Sequence, residues 1–230
     1  MTTTVPRESG VHEIERNLAL LRPLRIGVTG RELPTLHPTA EDEARVDRWL
    51  DTNLPRTGEA LFGIAPGTIW NTKRWPKERF ADVAKLLIDD GHRVVVIGGP
   101  EDSSLAREIV TLVGDESIAS SAGALTLLES AALIKRCTQL ITNDSAPMHM
   151  AVAMRTPVLA LFGATVPAFG FAPYGRDDVV VETTGLSCRP CSIHGGERCP
   201  IGTFECMLNI APDRVLKLVN EHPRLRRGQR

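Results

Sequence analysis

The chain has 230 residues, 42% of them hydrophobic, which is enough apolar material for a packed core and too much for a disordered polypeptide. Its 27 basic and 28 acidic residues leave a formal net charge of −1, so no global field recruits nucleic acid or an acidic membrane, and basic chemistry must be local. The opening MTTTVPRESG has no apolar stretch of the kind a secretory signal needs, so a cytoplasmic protein is expected.

Residues 1–58 read as a helical and linker segment. VHEIERNLALL (11 to 21) and TAEDEARVDRWL (39 to 50) have amphipathic helical spacing and are joined by a proline-containing linker. Neither forms a core alone, so they should lie against the domain that follows or against something outside the chain. Residues 59–222 alternate short apolar runs with helical patterns, as a parallel α/β sheet requires. Strands are expected at LFGIA (61 to 65), RVVVIGG (93 to 99), near 117 to 121, at QLIT (139 to 142), PVLALF (157 to 162) and VVVE (179 to 182). Helices are expected from KERFADVAKLLIDDGH, with Gly91 as its stop, over 101 to 113, over 125 to 136, after NDSAP, and at APDRVLKLVNEH (211 to 222). TPVLALFGATVPAFGFAPYG (156 to 175) is uncharged, but its three prolines and three glycines argue for a buried strand and a loop rather than a membrane span. PRLRRGQR (223 to 230) reads as a basic tail. The fold class is a Rossmann-like, doubly wound parallel sheet with an N-terminal helical segment.

Two polar clusters stand at strand ends. NDSAPMHMAVA (143 to 153) opens a helix with an amide, a carboxylate and a hydroxyl. Asp144 or Ser145 would suffice to cap the first turn, with Pro147 at an early helical position; the surplus suggests that the helix start also receives an anion. APGTIWNTKRWP (65 to 76) offers Gly67 for close backbone approach, the Thr68 hydroxyl and the cations Lys73 and Arg74, beside Trp75 as a core residue. In a sheet of order 3-2-1-4-5-6 the first and fourth strands are neighbours, and both clusters would face one crevice. GGPEDSS (98 to 104) adds Glu101 and Asp102, either as ribose ligands or as favourable charges at a helix start. The sequence has no G-x-G-x-x-G after the first strand, no G-x-x-x-x-G-K-[ST] and no G-x-S-x-G, which disfavours dehydrogenase, P-loop kinase and α/β-hydrolase chemistry.

In order along the chain, APGTIWNTKRWPKERFADVA, VIGGPEDSSLA, LITNDSAPMHMAVAMRTPVLALFGAT and CRPC…CP…CM…IAPDRV resemble the C-terminal half of glycosyltransferase family nine, the lipopolysaccharide heptosyltransferases. The resemblance runs from roughly residue 11 to 220, and HEIERNLALL is similar to the segment where that family's first lobe passes to its second. It implies the donor lobe of a GT-B enzyme that moves a sugar from an ADP-heptose-like nucleotide to a lipopolysaccharide-core acceptor, with inversion. Separately, the sequence has no D-x-D pair to hold a divalent cation against a pyrophosphate, so no cofactor is expected for transfer. By the resemblance Thr68 and Lys73 would meet the phosphates and sugar, while Arg74 is a phosphate candidate only as the cation next to Lys73. Asp144, Ser145, Ala146 and His149 would receive the pyrophosphate and the transferred heptose, and Met148 and Glu101 the base and ribose. The resemblance places the family's acceptor-deprotonating carboxylate in a lobe ahead of HEIERN, where eleven residues stand. The expectation is therefore a donor-binding half, through truncation, a split gene or a natural short form. It would be a half-enzyme needing a separate acceptor lobe, or a non-catalytic nucleotide-sugar-binding module, in the cytoplasm or peripheral at the inner membrane.

Cys188, Cys191, Cys199 and Cys206 follow a C-x2-C-x7-C-x6-C pattern with His194 inside. Three readings stay open: a structural metal such as zinc, reduced packing thiols, or disulfides, the last disfavoured in a reducing compartment. Cys137 reads as an ordinary core residue.

Overall fold

The computed structural model describes residues 3–27, 31–55 and 60–222, so the basic tail expected at 223–230 lies outside the described residues. Six strands, β1 (Leu61–Ala65), β2 (Arg93–Val96), β3 (Ile118–Ser120), β4 (Gln139–Asn143), β5 (Val158–Phe162) and β6 (Val179–Glu182), form one sheet in the order β3-β2-β1-β4-β5-β6. Every neighbouring pair is parallel. β1 and β4 pair directly, Phe62 to Ala65 in register with Gln139 to Thr142. The chain winds outward from β1 to β3, crosses back to β4 and winds the other way. That reversal opens a crevice beyond the carboxyl ends of β1 and β4.

The central strands β1, β4 and β5 are buried at every residue, because helices cover both faces of the sheet. Their side chains alternate between two cores, with Phe62, Ile64, Ile141 and Leu159 in one and Leu61, Ala65, Leu140 and Ala160 in the other. The first core is closed by α3 (Lys77–Asp89), α4 (Ser103–Val113), α7 (Glu205–Leu208) and α8 (Pro212–Asn220). The second is closed by α2 (Ala40–Asn53), α5 (Leu127–Arg136) and α6 (Ala146–Met154). Among the described residues no helix is long and apolar enough to cross a membrane.

Local chemistry sets the helix ends. Thr39 with Asp42, and Thr126 with Glu129, form reciprocal capping boxes at the starts of α2 and α5. Gly91 at φ +85° turns the chain out of α3. α1 (Glu13–Ala19) is shorter than the amphipathic pattern, because Pro23 falls in the 3-10 turn Arg22–Leu24 and cannot continue an α-helix. The N-terminal helices lie on the sheet domain. The Glu13 N–H donates to the Gly170 carbonyl at 2.8 Å, and α2 meets α5 through Lys135–Glu43 and a two-pronged Arg136–Asp47 pair.

Candidate functional site

The loop after β1 and the loop after β4 face each other across the crevice, and Asn143 ties them together. Its side chain is fully buried. Oδ1 accepts the Trp75 N–H at 3.0 Å and Nδ2 donates to the Pro66 carbonyl at 2.8 Å. An amide suits the position because it offers a donor and an acceptor together. Trp75 is fixed in turn: its indole N–H donates to the Ile210 carbonyl at 3.0 Å and its ring packs edge-on against Phe80.

Across this brace the Lys73 ammonium lies 2.7 Å from Asp144 Oδ2, with only 13% and 10% of the two side chains exposed. The Thr165 hydroxyl donates to the same oxygen at 2.7 Å. Two donors therefore converge on Oδ2, which leaves Oδ1 to accept from a ligand. An ammonium carries three N–H donors, so Lys73 retains capacity for an anion while it holds Asp144.

Capping of α6 by Asp144 or Ser145, one expectation from the sequence, does not occur. Asp144 is engaged by Lys73 and Thr165, and Ser145, the N-cap residue, makes no side-chain capping bond. Its hydroxyl turns back to the Asn143 carbonyl at 3.4 Å. The first turn of α6 thus has no side-chain cap to compete with an anion from outside. Ala146 is exposed at the first helical position. Met148 is a correction: its side chain is completely buried in the second core, so it has no surface to offer a base. His149 stands on the rim, exposed, yet the surrounding protein lowers its pKa below the ordinary value. Desolvation is the main cause, Asp144 opposes it, and His12 and Lys73 reinforce it.

Elsewhere the structure redistributes the expected roles. Thr68 is half-buried, and its carbonyl accepts both Nε and Nη2 of Arg74, at 2.9 and 2.6 Å. Arg74 therefore fixes the loop backbone. A Cβ at Gly67 would collide with the Asp102 carboxylate, so this glycine makes room for an acidic side chain of the protein itself. Asp102 also accepts the Gly99 N–H at 3.0 Å. Glu101 is exposed in the 3-10 turn Pro100–Asp102, and its carboxylate lies over Gly99. The carboxylate that meets the β1 loop is thus Asp102.

The cysteine-containing loop forms a third wall. Gly196 exchanges two hydrogen bonds with Thr72, at 3.0 and 2.7 Å, and Gly195, at φ +94°, packs so closely that a Cβ would press on Lys73 and Trp70 at 3.0–3.1 Å. Cys188, Cys191, Cys199 and Cys206 are not gathered around one point. Among the described residues no group of three or more His, Cys, Asp or Glu side chains could hold a metal, and all four thiols are free. Cys206 is buried in the first core on α7, the Cys191 thiol reaches the Cys188 carbonyl, and the Cys199 sulfur accepts the Phe204 N–H at 3.4 Å. Cys137 is buried in the second core, as expected. Between the cysteines, Arg189 was invisible in the sequence. It is nearly buried and clamps the Gly163, Thr165 and Thr183 carbonyls. Thr165 was equally unmarked, although its place just beyond β5 at the crevice was the available signal.

A cavity of about 640 Å³ opens elsewhere, lined among others by Glu15, Arg22, Arg31 and Tyr174. It shares no lining residue with the cleft. Beside it His12 stacks on Tyr174, accepts the Ile14 N–H at Nδ1 and lies 2.8 Å from the Ala172 carbonyl at Nε2.

The family model for glycosyltransferase family 9 (heptosyltransferase) matches residues 2–197. Lipopolysaccharide heptosyltransferase 2 of Escherichia coli K12 is 30% identical over 214 residues, covering 90% of this chain and 60% of that protein. Lipopolysaccharide heptosyltransferase 3 of the same strain is 36% identical over 163 residues, covering 70% and 46%. Among solved structures, E. coli ADP-heptose LPS heptosyltransferase II superposes with a TM-score of 0.77 at 26% identity, over 99% of this chain and 66% of that one. A family 9 glycosyl transferase from Veillonella parvula gives 0.79 at 27% identity, over 95% and 61%. The chain spans about 60% of the length of the first of these relatives. By a family match across most of its length, laid on the parallel sheet and crevice described above, the chain belongs to glycosyltransferase family 9.

Proposed function

We propose that the crevice beyond β1 and β4 binds the diphosphate and sugar of an ADP-heptose-like donor, and that the chain is the donor-binding part of a heptosyltransferase of lipopolysaccharide core assembly. The observation that carries this reading is the Lys73–Asp144 pair, which brings a cation and a carboxylate from two strand-end loops together next to the uncapped start of α6. A nucleotide diphosphate sugar needs both signs of chemistry at once. The phosphates call for the remaining N–H donors of Lys73 and for backbone N–H groups at a helix start. The sugar hydroxyls call for an acceptor, which Asp144 Oδ1 supplies. Thr68, Ser145, Ala146 and His149 line the same loops, and neutral His149 offers a hydrogen bond rather than a charge at pH 7. The E. coli relative that superposes at 26% identity is an ADP-heptose heptosyltransferase, which supports this donor class.

Transfer also needs an acceptor hydroxyl held in line with the anomeric carbon and a base within hydrogen-bond reach of its proton. In this proposal both belong to an acceptor-binding lobe that meets the donor side across the crevice. Asp144 is a poor substitute base, since its carboxylate is already bonded by Lys73 and Thr165. A cytoplasmic site, where nucleotide sugars are made, fits the reading.

The test is calorimetry of the purified chain with ADP-heptose, ADP and the UDP and GDP sugars, with and without magnesium. Binding confined to the ADP ligands and independent of magnesium is expected. A UDP or GDP sugar binding more tightly than ADP-heptose would overturn the donor assignment.

A further inference from the structure

We propose that Thr165 and Arg189 are positioning residues of the donor site, which hold the Asp144 carboxylate in place for the sugar while Lys73 engages the phosphates; this rests on the donor reading of the crevice. Thr165 is 3% exposed, and its hydroxyl gives its single proton to Asp144 Oδ2. Lys73 reaches the same oxygen from the opposite loop. When a diphosphate arrives, the ammonium is drawn toward it and its hold on Asp144 is shared. The Thr165 donor is not drawn away, because a buried hydroxyl beyond β5 has no phosphate to follow.

Thr165 in turn needs a fixed backbone, and a loop leaving a strand end does not fix itself. Arg189 supplies that restraint. Its side chain is 6% exposed. Nε donates to the Gly163 carbonyl at 2.5 Å, Nη1 to the Thr183 carbonyl at 2.5 Å, and Nη2 to the Thr165 carbonyl at 2.8 Å. Glu182 Oε2, also 2.8 Å from Nη2, balances the charge. A planar fork thus locks the segments after β5 and β6 to each other, which a lysine cannot copy with a single ammonium. Neither residue makes the contacts to the ligand; they act through Asp144.

Thr165→Val keeps the shape and removes the hydroxyl, Thr165→Ser keeps the hydroxyl, and Arg189→Lys keeps the charge without the fork. Each purified variant is titrated with ADP and with ADP-heptose, with thermal unfolding alongside. Thr165→Val is expected to weaken ADP-heptose binding about tenfold, the effect of losing one hydrogen bond to a charged group, and to leave ADP binding close to wild type. Thr165→Ser should restore the sugar-dependent part, and Arg189→Lys, where it folds, should behave like Thr165→Val. Wild-type affinity for ADP-heptose in Thr165→Val, equal losses for both ligands, or a serine variant as weak as the valine one would overturn this proposal alone. Wild-type protein that binds neither ligand would overturn the donor reading and this proposal with it.

Discussion

Lys73 and Asp144, seventy-one positions apart in the sequence, meet at 2.7 Å with most of both side chains covered. Such a pair is more informative when broken than when counted, because its Coulomb attraction is largely offset by desolvation. Removal of one partner leaves an unmatched buried charge. Lys73→Met is therefore expected to destabilise the fold by about 3 kcal/mol, and Lys73→Met with Asp144→Asn by clearly less. Urea unfolding of the two single variants and the double variant measures the coupling. A Lys73→Met protein that unfolds at the wild-type urea concentration would show that the pair is solvated and contributes little.

His149 gives a dependence on pH. Its folded pKa lies below the ordinary 6.5, with desolvation as the first cause, Asp144 opposing it, and His12 and Lys73 adding smaller contributions in the same direction as desolvation. Between the unfolded and the folded pKa the unfolded chain binds more protons, so stability falls as pH drops through that window and levels off below it. His149→Gln should lose that part of the acid sensitivity. Unfolding midpoints at pH 7.5, 6.5, 5.5 and 5, compared between wild type and variant, test the point (about one unit on either side of the ordinary histidine range). Parallel curves would refute it.

The strand order was legible because each central strand is a short apolar run between turn signals, and the winding rules of α/β sheets then leave few arrangements. The two loops were legible for a related reason, as polar residues crowded at strand ends have no core to enter. What each side chain does there was not legible. Asn143 and Arg74 have the chemistry of ligands and are braces, since Asn143 is claimed by Trp75 and Pro66 and Arg74 by the Thr68 carbonyl. Gly67 looks like space for a ligand and is space for Asp102. Met148 lies within the polar motif but on the inward side of α6, where the helical period carries it into the core. The sequence spacing of the cysteines resembled a ligand set, yet spacing does not fix direction, and Cys206 points into the core.

The cysteines make a separate prediction. The Phe204 N–H, followed by burial acting the other way and by N–H groups of Ile201, Gly202 and Thr203, leaves the Cys199 thiol below its ordinary pKa. Burial raises Cys191 and Cys206, with neighbouring thiols adding to it, and pushes Cys137 up to about 12. Since the thiolate is the nucleophile, alkylation at mildly alkaline pH should label Cys199 before Cys191 and Cys206, and Cys137 only on unfolding. Peptide mass spectrometry of partly labelled protein gives the order, and a chelator should leave the melting temperature unchanged. Protection of all four loop thiols together, relieved by chelator, would instead place a metal among them.

Asn143 offers the most direct test of how the crevice is held. Its amide satisfies the Trp75 N–H and the Pro66 carbonyl in a fully buried setting. Asn143→Ala strands both groups, and at about 1–3 kcal/mol for each unsatisfied partner the fold should lose about 2–5 kcal/mol, with ADP affinity falling as the loops part. Asn143→Asp is the sharper probe. The carboxylate still accepts from Trp75 but turns an oxygen with no proton toward the Pro66 carbonyl, and it buries a charge. Both effects favour the protonated form, so the folded-state pKa of this aspartate should rise above its unfolded value of about 3.9. A raised carboxyl pKa contributes stability that is present below the unfolded value and is lost as pH rises through the folded one. Relative to wild type, Asn143→Asp should therefore be more stable near pH 4, where the protonated carboxyl can again donate to Pro66, than at pH 7. Urea unfolding of both proteins across that range decides it: a deficit that stays constant, or grows on acidification, would show that the amide donor to Pro66 is not what holds the two loops together.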